Sequence, residues 1–254
     1  MSAPLSRRAL LAGAGVGVAS LLAPIPASRA GAAIDPPVIN NPSGQSQDVW
    51  VMGDSIVSGR LLPTPLRDSW VGRLNERIGG ATCERVANLG VGGETLLDYP
   101  TRGVVGLATS AVAAVVATAV KPRLVVLSVG VNDLMQTTDQ AAMNWAYFYL
   151  RGSLRAAGAG EVLYTTILPY GHGSAQPEGW LPVLEARRAT VNRWMRAQWG
   201  PMGLLIDRDG LLEAPGSPYM DARYHVGDGL HPNQWGALVL SHALNLSQLG
   251  VAAA

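Results

Sequence analysis

The segment Leu124-Val125-Val126-Leu127-Ser128-Val129 is apolar almost throughout. A strand with no polar face has to be covered on both sides, the mark of a central strand in a parallel sheet flanked by helices. The rest of the chain supplies such a sheet and its covering layers. Short apolar strands are predicted at 49–52, near 82–88, at 161–167 and at 204–206. Helical spacing of apolar residues is predicted over 70–78, 104–120, 139–157 and 181–199. A last helix is expected after Pro232, with Trp235, Leu238, Val239, Ala243 and Leu246 on its buried side. Strands alternating with helices imply a three-layer α/β/α sandwich with a roughly five-stranded parallel sheet. The Ala/Val-rich run at 104–120 is short and carries Thr109, Ser110 and Thr118, which suits a helix packed on the sheet and not a membrane span.

The 254 residues show no break in composition, so one folded domain is expected, from about Asp48 to residue 254. A 48% hydrophobic content can fill a large core, and a formal charge of +1 gives no electrostatic case for nucleic acid as a partner. Residues 1–30 read as an export signal: Arg7-Arg8 precede an apolar run at 9–22, followed by Pro24, Pro26 and Ala27-Ser28-Arg29-Ala30. Ser6-Arg7-Arg8-Ala9-Leu10-Leu11 resembles the twin-arginine type, with the general secretory route as the alternative. The run falls short of a stable membrane anchor, and the expected location is secreted or periplasmic. Cleavage after Ala30 leaves 16 basic and 18 acidic residues. Residues 31–47, rich in Pro, Asn, Ser and Gly, read as a linker. The lone Cys83 forms no internal disulfide and reads as a half-buried strand thiol. No Cys/His group has zinc spacing, and His225 and His231 alone make no metal site.

In open parallel sheets the ligand crevice lies beyond the carboxyl ends of the strands. Gly53-Asp54-Ser55-Ile56 follows the first strand and Gly130-Val131-Asn132-Asp133 follows the third, so both reach that rim. Asp228-Gly229-Leu230-His231 lies just ahead of the final helix, and a loop has to bring it there. Together these segments supply a hydroxyl, an amide donor and a carboxylate-oriented imidazole, the parts needed for acyl transfer through a covalent ester. Each alone has an ordinary explanation as a helix cap, a turn or a loop hydrogen bond; their conjunction on one rim points to a site. No Gly-x-Ser-x-Gly elbow is present, and Gly90-Val91-Gly92-Gly93 does not complete a dinucleotide fingerprint, so no cofactor is expected.

Gly53-Asp54-Ser55, Asn88-Leu89-Gly90-Val91-Gly92-Gly93, Gly130-Val131-Asn132-Asp133 and Asp228-Gly229-Leu230-His231-Pro232 resemble the successive blocks of the SGNH, or GDSL-like, hydrolases. Ile56 stands where that family often has leucine, an apolar exchange. The resemblance implies a flavodoxin-like fold and a carboxylic ester hydrolase with Ser55 as nucleophile, His231 as base and then acid, and Asp228 as the partner that fixes the imidazole tautomer. It also implies an oxyanion hole formed by the Ser55 N–H, a glycine N–H and the Asn132 side chain. Among Gly90, Gly92 and Gly93, the position before Glu94-Thr95 favours Gly93. Relatives cleave acetyl groups from carbohydrates, acyl chains from lipids and thioesters, and simple esters, so small-molecule, lipid and carbohydrate esters all stand as substrates. Short-chain or O-acetyl esters are favoured because the chain shows no inserted lid and no extended apolar run near the site. A lysophospholipase or thioesterase with the same triad is the alternative, as is a non-catalytic carbohydrate-binding domain. Tyr170, His172 and Trp180 follow the fourth strand and are candidates either to line the substrate pocket or to pack beneath a loop.

Overall fold

The computed structural model describes residues 48–79, 85–98, 106–137, 139–177 and 179–246. The export signal at 1–30, the linker at 31–47 and Cys83 lie outside the described residues.

Five parallel strands, β1 (Val49–Gly53), β2 (Val86–Gly90), β3 (Leu124–Ser128), β4 (Glu161–Thr165) and β5 (Leu205–Ile206), form one sheet in the order β2-β1-β3-β4-β5. β1 and β3 are the fully buried pair at its middle, as their unbroken apolar sequence requires. On one face α3 (Trp70–Arg77) packs against α8 (Gln234–His242), joined by the short α1 (Ser55–Ser58) and α2 (Pro65–Asp68). The other layer pairs α4 (Leu107–Ala117) with α6 (Gln140–Ala156) and α5 (Val131–Gln136) with α7 (Leu181–Trp199). The result is the expected α/β/α sandwich. Its strand order reverses between β1 and β3, and at such a switch point the helices leaving adjacent strands diverge to opposite faces and open a crevice.

Three expectations shift. β2 begins at Val86, later than expected, because its register is set by pairing Val86 to Val49 and Gly90 to Gly53; Asn88, Leu89 and Gly90 are therefore strand residues, and the turn starts only after Gly90. The expected strand residues 82–84 lie outside the described residues, as do 104 and 105 of the expected helix at 104–120. Gly130-Val131-Asn132-Asp133 is not a simple turn, since Val131 opens α5. In α8 the buried side carries Ala237, Leu240 and, just beyond the helix, Leu244, whereas Trp235 is 70% exposed and Leu238 also faces out. That helix is apolar on more than one side, so periodicity leaves its facing open; the close approach of Gly236 to the Tyr224 carbonyl turns Trp235 outward.

Candidate active site

β1 must end in glycine: a Cβ at Gly53 would collide with the Ser128 carbonyl of β3 and with the Val57 side chain. The chain then turns into α1 with Asp54 as N-cap, its Oδ1 accepting the Ile56 N–H at 2.9 Å. Ser55 is the first residue of α1, and the Asn88 side chain of β2 secures this turn by donating to the Val57 carbonyl at 2.8 Å. Asp54 is 2% exposed, and burial pushes its carboxyl up to about 6 against the Ile56 N–H and the nearby His231 and Arg208, which favour the charged form.

The loop ahead of α8 brings the imidazole to this turn. His231 Nε2 lies 2.8 Å from Ser55 Oγ, and His231 Nδ1 lies 2.5 Å from Asp228 Oδ2. Asp228 Oδ1 also accepts the N–H groups of Leu230 and His231, both at 2.9 Å. These hydrogen bonds outweigh partial burial and lower the Asp228 carboxyl to about 2, so it remains an anion throughout the working range. An ionised Asp228 accepts from Nδ1, which leaves the lone pair on Nε2 facing the serine hydroxyl. The second loop histidine, His225, plays a structural part instead. Its Nδ1 accepts the N–H groups of Gly227 and Gly229 at 3.0 and 3.1 Å, tying the loop into shape. The loop is anchored outward as well, Gly171 N–H donating to the Gly229 carbonyl and Ala175 N–H to the Asp228 carbonyl.

Asn132 enters from α5. Its Nδ2 donates to the Glu94 carbonyl at 2.7 Å, which fixes the amide orientation and leaves the second N–H of the same nitrogen for an incoming oxygen. Asp133, fully buried, clamps the facing segment by accepting the N–H groups of Leu96 at 2.7 Å and Leu97 at 3.0 Å. Between these segments Val91 to Glu94 forms a turn closed by Glu94 N–H to the Val91 carbonyl, with Gly93 at φ +80°, a conformation that favours glycine. The Gly90 N–H is already given to Asn88 Oδ1, whereas the Gly93 N–H takes no protein acceptor among the described residues. Two buried phenols brace the β3 to α5 connection, Tyr147 donating to the Val129 carbonyl at 2.8 Å and Tyr170 to the Val131 carbonyl at 2.6 Å. Burial pushes both phenols well above their ordinary value, so they stay donors. Glu94 is buried beside the anions Asp54, Asp133 and Asp98, and its carboxyl rises to about 7, chiefly from desolvation.

Such an arrangement can deprotonate an alcohol as it attacks a carbonyl; the N–H groups of Gly93 and Asn132 are the candidates to meet a carbonyl oxygen that gains charge. Residues 51–238 match the model of the GDSL-like lipase/acylhydrolase family. The chain belongs to that family. No curated protein sequence matches it, but solved structures share its fold. An aryl esterase from M. smegmatis is 19% identical with a TM-score of 0.61, over 82% of this chain and all of that one. A carbohydrate acetylesterase from Sinorhizobium meliloti is 18% identical with a TM-score of 0.61, over 78% and 96%. A lipolytic G-D-S-L family protein from Veillonella parvula is 19% identical with a TM-score of 0.57, over 78% and 96%. The chain is thus an SGNH hydrolase, an enzyme that cleaves carboxylic esters.

In this GDSL-like hydrolase Ser55, His231 and Asp228 form one chain of contacts, and Asn132 stands in the first turn of α5 on the Glu94 carbonyl; the three aromatic candidates do not act alike. Tyr170 is fully buried and serves as the strut described above, so it lines no pocket. His172 is exposed and meets the Tyr219 ring edge-on at 5.4 Å, in the segment that anchors the Asp228 loop. Trp180 caps α7, packs partly on the core and carries the Arg187 guanidinium 5.6 Å above its ring. An apolar groove of about 540 Å³ runs between α5, α6 and α7, lined by Leu134, Met143, Val183 and Val191, and includes none of Ser55, Asp228 or His231. Among the described residues no group of three acidic, His or Cys side chains is placed to hold a metal ion, and no helix is long and apolar enough to cross a membrane. Asp54, Glu94, Asp133 and Arg208 carry structural weight at the site that their sequence context does not single out; only the Asx-turn potential of Asp54 ahead of a helix is a readable signal.

Proposed function

We propose that this enzyme is a secreted serine esterase that cleaves short-chain or O-acetyl esters through an acyl-enzyme on Ser55. The observation that carries the reading is the unbroken contact from Ser55 Oγ through His231 to Asp228, 2.8 and 2.5 Å. Ser55 Oγ attacks the ester carbonyl carbon while its proton passes to His231 Nε2. The tetrahedral oxyanion is held by the Ser55 and Gly93 N–H groups and Asn132 Nδ2. Collapse breaks the carbon–oxygen bond to the alcohol, which leaves with the proton from His231. Water then attacks the acyl-enzyme with His231 as base, releasing the acid and restoring the serine, while Asp228 remains a carboxylate throughout.

The short-acyl preference is supported by likeness to the carbohydrate acetylesterase and the aryl esterase, and by the position of the apolar groove away from the triad. Hydrolysis of p-nitrophenyl esters from acetyl to palmitoyl tests it. Expected is a kcat/KM maximum at acetyl to butyryl; a maximum on long chains would point to a lysophospholipase or thioesterase with the same triad. Labelling by an organophosphonate should map to Ser55 alone. Asn132→Ala should lower kcat by about 10²–10³-fold with little change in KM, since the amide acts on charge that exists only in the transition state. Export rests on Arg7-Arg8 and the apolar run behind them, and cell fractionation checks it.

A further inference from the structure

Arg208, two residues beyond β5, is 2% exposed. A long cation in that position has to be matched by acceptors, or it destabilises the fold. Its Nη2 donates to Ser128 Oγ at 2.8 Å and Thr165 Oγ1 at 2.6 Å, at the carboxyl ends of β3 and β4, and Cζ stands 4.9 Å from the centre of the Trp70 ring. Nε and Nη1 take no acceptor among the described residues. The guanidinium borders a cavity of about 10 Å³, no larger than a single water molecule, whose other walls include Asp54, Ile56, Ser128 and Thr166. A site of this size admits no substrate or second ligand. What it joins is a buried cation without its full set of acceptors and the buried carboxylate that caps the Ser55 turn.

We infer that Arg208 is a positioning residue of the esterase: from the wall of the cavity it shares with Asp54, its buried positive charge steadies the Asp54 side chain that caps the Ser55 turn, and so holds that turn in register with His231. The inference rests on the reading of Ser55 as nucleophile. The ionisable groups that bear on Asp54 are His231 and, less strongly, Arg208, which favour its charge, Asp133 and Glu94, which oppose it, and the phenols of Tyr147 and Tyr170, which are neutral donors. Arg208 is the permanent cation of that set: burial lowers it to about 10, still well above neutrality. Loss of Arg208 removes a cation that favours the charged form, so the buried Asp54 carboxyl titrates higher. A protonated Asp54 accepts more weakly from the Ile56 N–H and no longer offsets the positive charge that His231 acquires in the transition state. Both effects act on kcat and spare ground-state binding.

The test uses the whole enzyme and p-nitrophenyl acetate, after wild-type turnover and its loss in Ser55→Ala have established the parent reading. For Arg208→Gln, kcat per site titrated with organophosphonate should fall about 10–100-fold at pH 7, the range of a slightly misplaced nucleophile, with KM within about twofold. Its acid limb should move up by about one pH unit. Arg208→Lys, which keeps the charge, should recover most of the rate. On an Asp54→Asn background, Arg208→Gln should change kcat by less than about twofold. A lower Tm with kcat per site and pH profile unchanged, or Arg208→Lys no better than Arg208→Gln, would overturn the inference. Should Arg208→Gln not fold, Asp54→Asn decides: a low kcat that alkaline pH does not restore supports the proposal, and wild-type kcat with a wild-type profile refutes it.

Discussion

Ser55→Ala is expected to lower kcat for ester hydrolysis by at least about 10⁴-fold, the scale on which a triad loses its nucleophile. The side chain removed is small, and the hydrogen bond found for its Oγ is to His231 Nε2, so the fold and its thermal stability should be nearly unchanged. The α1 turn keeps its Asp54 cap and its Gly59 end. Residual turnover above the uncatalysed rate is still expected, because the N–H donors proposed at Gly93 and Asn132 would remain for the oxyanion formed by attack of water. The measurement is initial rate with a chromogenic acetyl ester beside a circular dichroism spectrum. Equal turnover by wild type and variant would sink the acyl-enzyme reading and leave a domain that binds esters without cleaving them through Ser55.

Asp228→Asn is expected to cost about 10⁴-fold in kcat with far less effect on KM. The carboxylate accepts from His231 Nδ1 and from two backbone N–H groups, and an amide placed there presents a donor toward Nδ1 that favours the opposite tautomer. Nε2 would then carry the hydrogen and face Ser55 with no lone pair to accept its proton. The same bonds set a pH window for stability. Asp228 is lowered from 3.8 to about 2 in the fold, so its stabilising contribution is complete above about pH 4 and is lost as pH falls toward 2. Asp228→Asn should flatten the acid end of the stability curve, read as Tm between pH 2 and 6. An unchanged kcat would show that the carboxylate does not set the tautomer.

The sheet is legible in the sequence because it depends on local rules, and the same rules nominate the candidate site residues. Strands without a polar face must be central, and residues just beyond their carboxyl ends must face the crevice, which places Ser55 and Asn132 there. Family order supplies Asp228 and His231. The features that stay hidden depend on packing between distant segments. Nothing in Asp207-Arg208-Asp209 signals burial, yet the chain after β5 brings Arg208 to the ends of β3 and β4, where it is buried. Tyr170 sits at the rim, and only the fold shows that its ring turns inward as a strut for Val131. The buried face of α8 is not legible because its apolar residues do not fall on one stripe. The ion pairs of buried Arg188 with Asp209 and Glu213, which tie α7 to the segment after β5, are equally silent.

Ser55 and the imidazole of His231 stand 176 residues apart in sequence. Their meeting depends on the loop ahead of α8, which the Gly171 and Ala175 N–H groups hold at the Gly229 and Asp228 carbonyls; a change that frees this loop would part the imidazole from the hydroxyl and leave the five-stranded sheet intact.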